Sequence, residues 1–119
     1  MRDTTKKLPL KVGGADLDFR ITKLDAFSGA RLLKVLSRAE TDDLRALMLS
    51  LPDYELEDWM KTCLRHAEAL LPAGPVRVYG PDGWGLPDLE HDGWTCLKLT
   101  LEVLAWTLEG FFPESGPPS

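Results

Sequence analysis

DYELEDWMKTCLRHAEALL, residues 53–71, is the stretch on which the reading of the fold turns. Its apolar positions, Leu56, Trp59, Met60, Cys63, Leu64, Ala67, Leu70 and Leu71, fall on one side of a 3.6-residue repeat. That is the pattern of an α-helix with one buried face. Glu55, Glu57, Asp58, Lys61, Arg65 and Glu68 fill the other side and predict a solvated face. Leu51-Pro52-Asp53 breaks the preceding segment and starts this helix, and Pro72-Ala73-Gly74-Pro75 ends it. Read as one helix, the stretch makes the protein mainly α, and Trp59 belongs to its core.

The segment before it is also helical in pattern. Asp25 is an expected N-cap for a helix running to about Arg38, with Phe27, Ala30, Leu33 and Leu36 on one side and Leu32 and Val35 widening the stripe. Thr41 is placed to cap a second helix, in which Leu44, Leu47, Met48 and Leu51 make a one-faced pattern. Further upstream the period changes to two. Leu8, Leu10 and Val12 alternate with other residues, and Ala15, Leu17, Phe19 and Ile21 alternate with Asp16, Asp18, Arg20 and Thr22. Gly13-Gly14 between them suits the positive φ angles of a tight turn, so residues 8–22 read as a hairpin. Pro9 cannot donate to a ladder, which puts the first strand at an edge.

Downstream, Val76–Tyr79 reads as a short strand and Pro81-Asp82-Gly83 as a turn. Residues 80–92 form a loop pinned by Trp84 and Leu86. A last helix runs from about Asp92 to Glu109 and is apolar on two sides. Trp94, Leu97, Leu101, Leu104 and Leu108 form one stripe, and Leu99, Val103 and Trp106 form the other. The first is long enough to be core. The second, with Phe111 and Phe112 beyond it, exceeds what a small domain covers and is the expected protein-binding surface, with Phe27 as a further candidate. The expected architecture is mainly α (α+β), an N-terminal β-hairpin packed on a bundle of about four helices. It forms a single domain over residues 1–112, followed by a disordered tail at 113–119.

Composition narrows the function classes. With 119 residues and 44% hydrophobic content, the chain can build one core. A net charge of −5 with scattered basic residues argues against nucleic acid as a partner. Met1–Lys7 lacks an apolar leader and no stretch reaches the ~20 apolar residues of a membrane span, so the cytoplasm is the expected location. No phosphate-binding loop, serine elbow or HExxH motif is present.

Two sets of residues carry chemistry worth weighing. Cys63 and His66 with His91 and Cys96 have the donor types of a zinc site, but the second pair does not share a helix face, and two buried free thiols are the plainer reading. Asp82, Asp88, Glu90, His91 and Asp92 could serve acid–base chemistry. Acidic residues before a helix are equally expected from capping and the helix dipole. The expectation is therefore a non-enzyme with no catalytic residues, no cofactor and no metal. A small metal-dependent enzyme using the acidic 82–92 loop is the distant alternative.

The layout as a whole resembles the tail assembly chaperones of long-tailed bacteriophages and prophages. The resemblance rests on the hairpin leading into Phe19-Arg20-Ile21-Thr22-Lys23-Leu24-Asp25-Ala26-Phe27, the leucine-rich helices and the Gly/Asp loop. It continues through Asp92-Gly93-Trp94 and Leu99–Trp106 to Phe111-Phe112. Members of that family often carry Asn-Phe shortly before a Phe-Phe pair; here Thr107-Leu108 stands in its place. The resemblance implies a non-catalytic protein of the bacterial host cytoplasm that binds the tape measure protein during tail assembly. It also implies a frameshift-extended form that recruits the tail tube protein. Self-association into a homo-oligomer would use the same apolar surfaces. Another phage structural adaptor, of the head–tail connector type, is the nearer alternative.

Overall fold

The computed structural model describes residues 4–41 and 43–109. Phe111, Phe112 and the 113–119 tail lie outside the described residues.

The N-terminal hairpin forms as its alternation predicts. Strands β1 (Thr5–Val12) and β2 (Ala15–Thr22) pair antiparallel from Val12↔Ala15 to Thr5↔Thr22. Gly13 and Gly14 both take positive φ, 61° and 85°, which matches the right-handed strand twist and is costly for residues with a Cβ. Leu8, Leu10, Val12, Leu17, Phe19 and Ile21 point to one face, and Phe19 and Ile21 are fully buried there. The other face is charged. Lys7 pairs with Asp18, Lys11 with Asp16, and Arg20 with Glu68 at 2.6 Å.

Three helices follow: α1 (Ala26–Ala39), α2 (Leu44–Ser50) and α3 (Asp53–Leu64). Asp25 caps α1, its carboxylate accepting from the Ser28 N–H at 2.8 Å, as the sequence predicts. In α2 the capping side chain is Asp43, which accepts from the Ala46 N–H. The expected cap Thr41 instead accepts from the Asp43 N–H. In α1 the buried side runs through Gly29, Leu32, Val35 and Leu36, leaving Phe27 and Ala30 exposed.

The expectation of a hairpin on a helical bundle is overturned at Leu64. The helical pattern of residues 53–71 continues in sequence but not in space. The chain turns at Arg65 and His66, whose N–H groups donate to the Lys61 and Cys63 carbonyls. It then forms strand β3 (Ala67–Leu71), followed by β4 (Gly74–Arg77). Ala67 pairs with Ile21 and Ala69 with Phe19, giving a four-stranded antiparallel sheet in the order β1-β2-β3-β4. Alanine, glutamate and leucine favour helix by only a few tenths of a kcal/mol per residue. Without β3, the even-numbered backbone groups of β2 would form a second open edge. Pairing there satisfies them and buries Ala67 and Ala69 completely. The Val76–Tyr79 strand and 80–92 loop resolve into β4, a small hairpin β5 (Tyr79–Gly80) and β6 (Gly83–Trp84), and the short helix α4 (Pro87–Glu90). The long helix α5 (Gly93–Glu109) lies over the inner face of the sheet.

Both free edges of the sheet are blocked. Val12 and Ala15 flank a two-residue turn and so form a hydrogen-bonded pair, which puts the backbone of even-numbered β1 residues toward β2. The Lys23 N–H bonded to the Thr4 carbonyl keeps that alternation. Pro9 therefore faces outward in the middle of the edge. The same count from Leu71↔Gly74 places Pro75 outward on β4. Each proline removes a donor that an added strand would need.

Candidate protein-binding surface

The expected binding stripe lies mostly inside the protein. Leu99 and Val103 are fully buried. They belong to a continuous inward face of α5 made by Thr95, Cys96, Leu99, Thr100, Val103, Leu104 and Thr107. The stripe expected as core faces the other way: Trp94 is 60% exposed, and Leu97, Leu101 and Leu108 are half-buried. Only Leu104 of that set is fully buried. The threonines set the helix phase. The Thr100 and Thr107 hydroxyls donate to the Cys96 and Val103 carbonyls one turn back, at 2.9 and 2.8 Å. The Thr107 oxygen also accepts from the Leu24 N–H at 2.9 Å, closing the β2–α1 junction onto α5. Hydroxyls satisfied this way can be buried without an orphaned donor.

Trp106 holds the entry to β1 in place. Its indole N–H donates to the Thr4 carbonyl at 3.1 Å, and the Lys23 and Lys6 ammonium groups lie 4.5 and 5.6 Å from the ring centre. Phe27 is 86% exposed at the start of α1.

A larger apolar recess among the described residues lies elsewhere, between α3 and the β5–β6 hairpin. Leu56, Met60 and Leu64 repeat every fourth residue along α3 and make one wall. Tyr79 and Trp84 make the opposite wall, packed edge to face with centroids 5.2 Å apart. The groove encloses about 520 Å³. The β5–β6 hairpin is drawn against β4 at Gly85, whose N–H donates to the Val78 carbonyl at 2.9 Å. A Cβ at Gly85 would overlap the Arg77 carbonyl oxygen, so only glycine permits that approach. Asp53, Glu57 and Lys61 line the mouth of the groove, with Lys61 on Glu57 at 2.6 Å. That contact lowers the Glu57 pKa and raises that of Lys61.

A second apolar surface is the outer side of α5. Trp94, Leu97 and Leu101 border a shallower recess of about 310 Å³, with the Arg45 guanidinium 5.2 Å from the Trp94 ring centre. The sequence reading missed the α3 groove because it assigned all apolar residues of 53–71 to one core stripe. The available signal was the tyrosine and tryptophan flanking the Pro81-Asp82 turn.

The chemistry-bearing residues are dispersed. Cys63 and Cys96 are buried free thiols, and burial raises the pKa of both. The Cys96 thiol donates to the Leu89 carbonyl at 3.2 Å, and the His66 ring bonds the Thr62 carbonyl through Nδ1. Asp92 caps α5, accepting from the Thr95 N–H and hydroxyl at 3.1 and 2.7 Å. Asp82, Asp88, Glu90 and His91 are exposed. Among the described residues, no three His, Cys, Asp or Glu side chains converge on a common metal position. No helix among them is long and apolar enough to cross a membrane. In comparison with known proteins, no family model, curated protein or solved structure matches the chain.

Proposed function

We propose that the protein is a non-catalytic tail assembly chaperone that binds apolar helical segments of a phage tape measure protein and keeps them soluble before the tail tube encloses them. The observation that carries this reading is the groove of Leu56, Met60, Leu64, Tyr79 and Trp84 between α3 and the β5–β6 hairpin. A flexible methionine beside aromatic walls accommodates varied apolar side chains, which suits a chaperone for a long helical client. The blocked sheet edges favour a helix laid in a groove over an added strand. The resemblance of the sequence to tail assembly chaperones implies the same client and a bacterial cytoplasmic setting. It also supplies the link to the tail tube protein, through a frameshift-extended product.

Co-expression with a tape measure protein, taken from the gene that the reading expects immediately downstream, tests it. The expected result is a larger soluble fraction of tape measure protein and its co-purification with the tagged chain. A tape measure protein that stays equally insoluble and is not retained would overturn it.

A further inference from the structure

We infer that a basic recess on the outer face of the sheet binds a phosphate-sized dianion, either inorganic phosphate or the phosphoryl group of a small phosphomonoester. Thr22, Arg65, His66, Glu68 and Arg77 line the recess, which encloses about 360 Å³. These residues are far apart in the chain, and β3 brings them together. Thr22 ends β2 and its N–H donates to the His66 carbonyl at the turn into β3. Glu68 on β3 stands between Arg20 on β2 and Arg77 at the end of β4. The site is separate from the α3 groove and does not depend on the proposed client.

The charges favour an anion. Among the lining residues, two guanidinium groups stand against one carboxylate. That carboxylate is already held by Arg20, whose Nε and Nη2 groups donate to one Glu68 oxygen at 3.1 and 2.6 Å. With Arg20 counted, three arginines and one glutamate leave a formal charge of +2, in a chain whose net charge is −5. Two other charged groups come near. Asp25 is within electrostatic reach of His66, but its carboxylate caps the Ser28 N–H and also feels Arg31. Lys61 is within reach of Arg65 and is held by Glu57. The field in the recess stays positive.

The donors are available. Among the described residues, no carboxylate is ion-paired with Arg65 or Arg77. Arg65 lies over Tyr79 with its guanidinium carbon 5.8 Å from the ring centre, which leaves its N–H edges open. The His66 Nδ1–H donates to the Thr62 carbonyl at 2.9 Å, so Nε2 is the nitrogen left for a ligand. Two guanidinium forks suit the several oxygens of a phosphate, whereas a single carboxylate would leave one positive charge uncompensated.

Titration of the isotope-labelled full chain with inorganic phosphate, followed by amide NMR against sodium chloride at matched ionic strength, tests the site. Saturable shifts are expected at Thr22, His66, Glu68 and Arg77 with phosphate and not with chloride. Arg65→Gln and Arg77→Gln, both at exposed positions, should each weaken binding about tenfold, the loss of one charge-assisted contact. Glu68→Gln should tighten binding, because it removes the acid from the recess. Lys11→Gln makes the same charge change as the arginine variants at the opposite end of the β1–β2 hairpin and should leave binding unchanged. A parallel titration with glycerol phosphate separates the two sources. Saturable binding there supports a phosphomonoester ligand, and binding of the free ion alone supports inorganic phosphate. Shifts that match chloride or never saturate, equal weakening by Lys11→Gln, or binding not tightened by Glu68→Gln would overturn the inference.

Discussion

The two sides of α5 invert the usual expectation of which residues a helix buries. The inward side carries three threonines and a cysteine among its seven buried residues, and the outward side carries a tryptophan and several leucines. Ranked by size alone, Trp94 and these leucines would be core, yet they share the outward side with Lys98, Glu102 and Glu109. Small β-branched residues lie inward, where the hydroxyls of Thr100 and Thr107 are satisfied by the helix itself and one of them completes the bonding of Leu24. The larger side chains are left on the surface, with Arg45 over the ring of Trp94. Burial here follows shape and hydrogen-bond satisfaction as much as transfer free energy.

Truncating one residue on each side of α5 should give the largest difference in stability. Leu99→Ala should cost about 2–5 kcal/mol because it leaves a cavity under a fully buried leucine. Leu101→Ala should cost clearly less, since that side chain already meets solvent. Urea unfolding of the two variants measures both, and equal losses would return the outward stripe to the core.

Thr107→Val tests the hydroxyl's part in the inward side. The substitution keeps the shape but strands the buried Leu24 N–H, at an expected cost of about 1–3 kcal/mol. Thr100→Val strands no partner donor and should cost less. A Thr107→Val variant as stable as the parent would mean the junction bond contributes nothing.

Alkaline pH probes the same side through Cys96. Burial and the Asp92 carboxylate push its thiol from an ordinary value near 9 up to about 11. The folded state holds the proton more tightly, so this contribution is complete below pH ~9 and is lost as pH rises toward 11. The loss is up to about 1.4 kcal/mol per pH unit per thiol. Cys63, raised by burial alone, acts in the same direction. Melting temperatures across that range should fall in the parent and fall less in a Cys96→Ala variant. Identical slopes would contradict the assignment.

Trp94→Ala should produce the smallest change. The ring is mostly exposed, and its stacking with Arg45 is worth roughly 0.5–1 kcal/mol at such a site. A loss of several kcal/mol would show that the outward side is structural after all.

The legible and illegible parts of the sequence differ for physical reasons. The first hairpin could be read residue by residue because alternation and Gly13-Gly14 agree with each other and with the pairing found. The start of α1 was equally plain, since the Asp25 cap is a local interaction. Ala67–Leu71 was not, because local preference and spacing both favour helix and only the edge of β2 makes it a strand. The phase of α5 was hidden for a related reason. Thr100 and Thr107 count as polar in any hydrophobic pattern, and their suitability for the core depends on carbonyls one turn away and on Leu24 across the fold. The α3 groove needed the β5–β6 hairpin to supply its second wall, a contact between segments that no spacing rule within α3 reveals.

If the α3 groove holds the proposed tape measure client, hydrogen–deuterium exchange on the mixture, compared with the chain alone, slows over Asp53–Leu64 and Tyr79–Trp84 and stays unchanged over Trp94–Leu101. Protection confined to the outer side of α5, or absent from α3 and the β5–β6 hairpin in a formed complex, would contradict it.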